Sequence, residues 1–131
     1  MILGIGLDVV DVARMRRILG AGATPDRARR FIARCFTDGE QRTCEARRDR
    51  ETGYAARFAA KEAVMKALGA PPGVRFLDVE VVRAEGAPEI RLGGAAERAA
   101  RERGVRRVHV TLTHDAGIAA AAVVLEGGEA G

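Results

Sequence analysis

Apolar and polar residues alternate at the start of the chain in the way that is typical of a β-strand. Over residues 2–8, Leu3, Ile5 and Leu7 share one side, while two glycines and Asp8 share the other. Glycines beside a carboxylate leave room for the close approach of another backbone or of a ligand. The segment therefore predicts a strand with open space next to the Asp8 carboxylate.

The end of the chain has the pattern of a β-hairpin. Residues 106–114 alternate, residues 115–117 (Asp-Ala-Gly) suit a turn, and residues 117–126 are more continuously apolar. His114 ends the row of residues that face the core, and Asp115 begins the turn. A packed histidine and a turn-forming aspartate are the ordinary interpretation of these two residues, and a functional role stays open.

Residues 51–69 predict a long central helix that is apolar nearly all round. Helices of this kind are usually buried, and charges on them are costly unless they are paired. Lys61, Glu62 and Lys66 are the charges in its second half. Glu62 and Lys66 are four residues apart and share a face, so they form either a structural ion pair or part of a site.

The complete pattern predicts a single α+β domain, residues 1–131, with a largely antiparallel sheet and a long buried central helix. The predicted order is β (2–8), α (9–19), α (26–35), α (38–47), α (51–69), β (76–83), β (89–92), α (94–103), β (106–114) and β (117–126).

Asp8 has two competing interpretations. It precedes a predicted helix over residues 9–19, which Gly20 would end, so it suits a helix N-cap. It equally suits a ligand-binding carboxylate at a strand–helix junction. The two glycines before it do not form a dinucleotide-binding fingerprint, because Val9 occupies the position of the third glycine.

Composition restricts the class of protein. The 131 residues, 47% of them hydrophobic, suit one globular domain with a modest core. The pattern shows no membrane-spanning run and no signal peptide, so we expect no membrane partner. Cys35 and Cys44 have no metal-type spacing with the two histidines. We therefore expect reduced thiols and a cytoplasmic protein.

Basic residues exceed acidic residues by 22 to 18, and the sequence pI is near 9.8. Much of the excess lies in the first 50 residues, where it indicates either a solvated face or a surface for an acidic partner. A basic nucleic-acid-binding module is an alternative. It would leave Asp8, Glu62 and Lys66 unexplained, and 4 Phe with 1 Tyr offer little base stacking, so we expect no nucleic acid.

Three segments together resemble one family. They are G-I-G-L-D at residues 4–8, R-F-A-A-K-E-A-V-M-K-A-L-G at residues 57–69 and T-L-T-H-D-A-G-I-A at residues 111–119. In this order they resemble the holo-acyl-carrier-protein synthases, the small stand-alone 4′-phosphopantetheinyl transferases. The family commonly has Ser-x-Ser-His where this chain has Thr-Leu-Thr-His, so the hydroxyl groups are retained.

The resemblance implies a reaction and a metal. Coenzyme A would donate its 4′-phosphopantetheine arm to a serine of apo-acyl carrier protein, in fatty acid or polyketide synthesis, releasing adenosine 3′,5′-bisphosphate. Mg²⁺ would be held by Asp8 and Glu62, which agrees with its preference for one or two carboxylates plus phosphate oxygens. Lys66 would contact phosphate, and Lys61 would either reach another phosphate or extend along the surface.

The resemblance also implies further contacts. His114 and Thr113 would lie near the nucleotide and phosphates, and Arg48, or its neighbour Arg47, would contact the 3′-phosphate. The serine needs a base: Glu62, Asp115, His114 and water at the metal are candidates, and we expect water steered by a carboxylate. Arg14, Arg17 and Arg27 would dock the acidic carrier.

The family is homotrimeric with sites between subunits, and the apolar segment 118–125 would suit an interface. A homologue that keeps the fold but lacks transfer activity is a further alternative, against which the complete set of Asp8, Glu62 and Lys66 argues. The larger transferases that modify large synthases are about twice this length, so the short chain favours the stand-alone type.

Overall fold

The computed structural model describes residues 1–20 and 24–128. A short 3₁₀ turn at Phe76–Asp78 precedes the second strand. The strands and helices are β1 (Ile2–Asp11), α1 (Val12–Leu19), α2 (Pro25–Cys35), α3 (Asp38–Glu45), α4 (Arg50–Ala67), β2 (Val79–Ala84), β3 (Ala87–Leu92), α5 (Gly94–Glu102), β4 (Val105–Asp115) and β5 (Ile118–Gly127).

The strands form two antiparallel sheets, which confirms the predicted α+β class. The larger sheet has the order β1-β5-β4, and β2 pairs with β3 in the smaller one. The β4–β5 hairpin turns at Ala116 and Gly117, whose φ angles are 51° and 78°. Two successive residues with positive φ match the twist of the strands, and the second of them, Gly117, adopts this conformation without strain.

The long helix α4 lies directly on β1. A Cβ atom on Gly6 would lie 1.8 Å from the Ala63 carbonyl oxygen, and one on Gly4 would lie 2.3 Å from that of Ala67. The open space predicted beside Asp8 is therefore filled by the backbone of α4. Close contact of this kind requires glycine on the strand and small residues on the helix.

Most of α4 is buried, as its all-round apolar pattern predicted. Its alanines contact β5 and the second sheet, while the aromatic residues contact α1, α2 and α3. Tyr54 is fully buried and its hydroxyl donates to Glu45 Oε2 at 2.7 Å. The thiols of Cys35 and Cys44 are both buried and unpaired, and burial raises the pKa of Cys44 to about 11.

The junction between β1 and α1 differs from its predicted position. The strand continues to Asp11, and the helix begins at Val12 rather than at Val9. Asp11 is the N-cap, since its Oδ1 accepts from the Ala13 N–H at 3.0 Å. Asp8 is therefore not a helix cap, and its carboxylate is available for another role.

Candidate functional site

Asp8 and Glu62 line one cleft of about 370 Å³ between β1, α1, α2 and α4, which we term the carboxylate cleft. Asp8 reaches it because residue 8 is on the helix-facing side of β1, opposite Ala121 of β5. The remaining lining residues are Val9, Val10, Asp11, Arg14, Met15, Ile18, Phe31 and Phe58. The structure therefore brings together two carboxylates that are 54 positions apart in the sequence.

Lys66 binds Asp8. Its Nζ lies 2.8 Å from Asp8 Oδ1 and 3.1 Å from the Leu7 carbonyl oxygen, while 56% of its side chain stays exposed. The hydrogen bond to Asp8 raises the pKa of Lys66. Lys66 is thus a cation that joins α4 to β1 beside the cleft, and its partner is Asp8 rather than the Glu62 expected from helical spacing.

Burial in the cleft wall raises the pKa of Glu62, and the negative charge of Asp8 raises it further, while Lys66 and Arg14 oppose the shift. Ionised Glu62 is therefore held near a second acid in partly desolvated surroundings. A bound cation would relieve this repulsion.

The two carboxylates fit Mg²⁺ chemically. The ion takes one or two protein carboxylates and fills its remaining positions with water and phosphate oxygens. Among the described residues no group of three or more His, Cys, Asp or Glu side chains forms a closed metal site. Asp8 and Glu62 suit an open site that a phosphate-bearing substrate completes.

The floor of the carboxylate cleft is apolar. Phe31 of α2 and Phe58 of α4 contact one another with ring centroids 6.0 Å apart, and Met15 and Ile18 of α1 complete the floor. Phe31, Met15 and Ile18 were not among the site residues predicted from the sequence. In the sequence these residues lie on the apolar faces of two amphipathic helices. Ordinary core residues have the same pattern, so the pattern does not distinguish a site from the core.

His114 and Asp115 lie in a second cleft, of about 420 Å³, which we term the histidine cleft. It is formed by the β4–β5 turn, α1 and the start of α4, and Arg16 and Asp49 also line it. Residues of α1 line both clefts, on different faces of the helix. Within one chain the structure does not bring His114 and Asp115 into the carboxylate cleft.

Thr113 and Arg48 lie outside both clefts. Thr113 pairs with Ala120 and is exposed on the opposite side of the sheet from His114, because side chains alternate along a strand. Arg48 is exposed in the bend between α3 and α4, next to Asp49 of the histidine cleft. Thr113 and Arg48 can therefore make their predicted contacts with the nucleotide only if the nucleotide extends beyond the two clefts or if these residues serve a site on a second chain.

Lys61 does not reach the cleft. Its side chain is fully buried and forms a salt bridge of 2.7 Å with Glu40 of α3, which is equally buried. Nζ also donates to the carbonyl oxygens of Phe76, at 3.0 Å, and Val79. No surface remains from which Lys61 could contact a phosphate, and we replace that expectation with an internal ion pair.

The three arginines expected to dock a carrier protein lie on α1 and α2, two of the elements that form the carboxylate cleft. Arg14 lines it, Arg17 is exposed one turn later on α1, and Arg27 is exposed near the start of α2. Arg30 and Arg34 are also exposed, on the side of α2 that carries Arg27. Two helices thus provide a basic rim to a cleft that contains carboxylates.

The side of the larger sheet that faces away from α4 is apolar and exposed. Ile5, Leu7 and Val9 of β1 are 68%, 60% and 54% exposed. Ala122 and Val124 of β5 continue this surface, which we term the outer face. Large apolar side chains that share one sheet face are typical of an interface.

The sequence profile of the 4′-phosphopantetheinyl transferase superfamily matches residues 4–121. A protein from Anaeromyxobacter sp. (strain K) named holo-[acyl-carrier-protein] synthase is 63% identical over 127 residues, which are 97% of this chain and 98% of the relative.

Two solved structures are similar along nearly the whole chain. The holo-ACP-synthase from Plasmodium yoelii has a TM-score of 0.82 at 26% identity, with 98% of each chain covered. The Helicobacter pylori holo-[acyl-carrier-protein] synthase in complex with coenzyme A has a TM-score of 0.78 at 28% identity, covering 93% of this chain and 99% of the other.

Proposed function

Because this chain belongs to the 4′-phosphopantetheinyl transferase superfamily, as a holo-acyl-carrier-protein synthase, we propose that it performs the Mg²⁺-dependent transfer of 4′-phosphopantetheine from coenzyme A to a serine of apo-acyl carrier protein. The products are holo-acyl carrier protein and adenosine 3′,5′-bisphosphate. The carrier is one of fatty acid or polyketide synthesis. We place the reaction in the cytoplasm, since buried unpaired thiols suit a reducing compartment.

The observation that carries this proposal is the pairing of Asp8 and Glu62 in one cleft, with Lys66 bound to Asp8. Phosphoryl transfer needs positive charge around the transferred phosphate and little covalent help from the protein. Asp8 and Glu62 would hold Mg²⁺, which would supply charge neutralisation for the pyrophosphate of coenzyme A. A structural ion pair alone would not require a second, half-buried acid at this place.

The side chains of this protein have distinct roles in the proposed reaction. Lys66 binds the Asp8 carboxylate beside the cleft, and its exposed ammonium is a contact for phosphate. Glu62 lines the same cleft, where its carboxylate can accept a hydrogen bond from the serine hydroxyl and so steer the serine proton. The apolar floor excludes water from the arm and packs against the carrier.

Intact-protein mass spectrometry tests the proposal directly. Apo-acyl carrier protein is incubated with this protein, coenzyme A and Mg²⁺, and a parallel sample contains EDTA. We expect a metal-dependent gain of one phosphopantetheine on the carrier serine. No gain with several apo-carriers, while the protein is folded and binds coenzyme A, would contradict the proposal.

We also propose that the protein is a homotrimer joined through the outer face. The exposure of Ile5, Leu7 and Val9 supports this, since burial of such side chains drives association. In the assembly, His114 and Thr113 of one subunit would complete the carboxylate cleft of its neighbour. This arrangement accounts for their distance from Asp8 and Glu62 in one chain.

Leu7→Lys is expected to dissociate the assembly. Leu7 is 60% exposed in the middle of the outer face, so a lysine there leaves the core intact but places a charge in the interface. Light scattering after gel filtration should give a mass near the 13.9 kDa of one chain. Glu89→Lys on the exposed side of β3 is the control, and a Leu7→Lys protein that remains trimeric would contradict the interface.

Arg17→Glu tests carrier docking separately from chemistry. Arg17 is exposed on the basic rim but does not line the carboxylate cleft. We expect KM for the carrier to rise by about tenfold with little change in kcat, because opposite charges steer association. Arg98→Glu on α5 makes the same change in net charge as a control. Equal effects of the two variants, or a defect that high salt does not reduce, would contradict docking at the rim.

A further inference from the structure

The buried ion pair of Glu40 and Lys61 uses every hydrogen-bonding position of the lysine ammonium. Nζ contacts Glu40 and the carbonyl oxygens of Phe76 and Val79. The carboxylate of Glu40 also accepts the backbone N–H groups of Thr37, at 2.9 Å, and Val81, at 2.8 Å. One pair thus connects α3, α4, the 3₁₀ turn and β2, and both of its side chains are almost completely buried.

The apolar contacts of α4 with the larger sheet provide little directional control, and Lys66 adds a polar contact with β1 at the exposed edge. The side of α4 that faces the larger sheet presents Ala59, Ala63 and Ala67, and it rests against glycines of β1. Such a contact brings two backbones close together, but it lacks interlocking side chains that would oppose rotation of the helix. A buried polar pair with satisfied geometry selects one arrangement among several apolar ones.

Lys61 immediately precedes Glu62, so the two side chains project about 100° apart around α4. Lys61 points to α3 and β2, and Glu62 points into the carboxylate cleft. Rotation of the helix would move both side chains together. The direction of Glu62 toward Asp8 is therefore tied to the bond between Lys61 and Glu40.

We propose that Glu40 and Lys61 are positioning residues, whose buried ion pair fixes the rotation of α4 and thereby directs the Glu62 carboxylate into the cleft beside Asp8. The inference rests on the proposed metal-binding role of Glu62. It assigns a function in the reaction to two side chains that touch neither substrate nor metal.

The test uses the full-length double variant Glu40→Gln/Lys61→Met, which removes both charges and so leaves neither member of the pair as an unpaired buried ion. Binding of Mn²⁺ to the purified protein is measured by the loss of the free-ion electron paramagnetic resonance signal. We expect the affinity to fall about tenfold, as is typical when the groups that orient a metal ligand are lost. The Mg²⁺ concentration for half-maximal transfer should rise in parallel, while KM for the carrier is unchanged.

Two further variants separate positioning from stability. Glu80→Gln changes a neighbouring carboxylate that binds Thr37 rather than α4, and it should leave Mn²⁺ binding unchanged. Glu40→Asp keeps both charges but shortens the acid by one methylene, so it should fold and still weaken Mn²⁺ binding. If the double variant does not fold, Mn²⁺ binding by Glu40→Asp tests the positioning role.

The outcomes are distinguishable. A purely structural pair would lower the melting temperature and the folded fraction, but folded molecules would bind Mn²⁺ as the wild type does. Unchanged Mn²⁺ affinity in the folded variants therefore overturns the positioning role. Failure of the wild type to bind Mn²⁺ or to show metal-dependent transfer would instead overturn the proposed function.

Discussion

Glu62→Gln is expected to reduce phosphopantetheine transfer by on the order of 10²- to 10³-fold, as when a single group that stabilises developing charge is removed. Gln has the same shape as Glu but is a poor ligand for Mg²⁺ and cannot accept a proton. Steady-state transfer followed by mass spectrometry measures the effect. Glu102→Gln at the exposed end of α5 is the matched control, and near-normal turnover by Glu62→Gln would remove Glu62 from the proposed metal site.

The same variant is expected to be at least as stable as the wild type. Burial and Asp8 raise the pKa of Glu62, so its ionised form is less favourable in the folded chain than in the unfolded chain. The neutral Gln removes this penalty at pH 7. As the pH falls through the raised pKa, Glu62 becomes protonated in the folded wild type and the difference should disappear. Thermal unfolding at several pH values measures the difference in stability between Glu62→Gln and the wild type. A large loss of stability in the variant at pH 7 would contradict the prediction.

Gly6→Ala is expected to destabilise the fold by about 3 kcal/mol or more, at the upper end of the range for overpacking. The new Cβ would lie 1.8 Å from the Ala63 carbonyl oxygen, so α4 would have to move away from β1. Because β1 carries Asp8 and α4 carries Glu62, the surviving folded molecules should also transfer poorly. Urea unfolding measures the first effect and transfer assays measure the second.

Gly93→Ala is the control for this substitution. Gly93 has φ −137° and no atom within 4 Å of its ideal Cβ, so an alanine there meets neither strain nor a clash. We expect the small cost of a less suitable helix cap. A Gly6→Ala protein that is as stable as Gly93→Ala would show that α4 can move away from β1 without penalty.

Hydrophobic periodicity was sufficient to predict the long helix and the long strands, because their apolar residues lie clearly on one face or all round the element. Residues 51–69 gave the helix observed at Arg50–Ala67, and the terminal segments gave β1, β4 and β5. The end of β1 was wrong by three residues. Either Asp8 or Asp11 can cap a helix, and the choice between them depends on pairing of β1 with β5 as far as Ile118. Tertiary pairing of this kind is not visible in local sequence.

Part of the candidate site was likewise predictable from the sequence, and part was not. Motifs in the sequence identified Asp8, Glu62 and Lys66, and the structure brings them together. The partner of Lys61 could not be foreseen, because Glu40 lies 21 positions earlier on another helix. Nor does spacing show that His114 lies in a different cleft, since α1 comes between the two sites only in three dimensions.

The pairing of β1 with β5 has a consequence for biosynthesis. Asp8 is among the first residues to leave the ribosome, yet the strand opposite it carries Ala121, more than a hundred residues later. Contacts so distant in sequence form late and slowly. A growing chain therefore already contains Asp8, Glu62 and Lys66 but cannot close the sheet on which their arrangement depends. The complete arrangement is therefore expected only after β5 has been synthesised and has paired with β1.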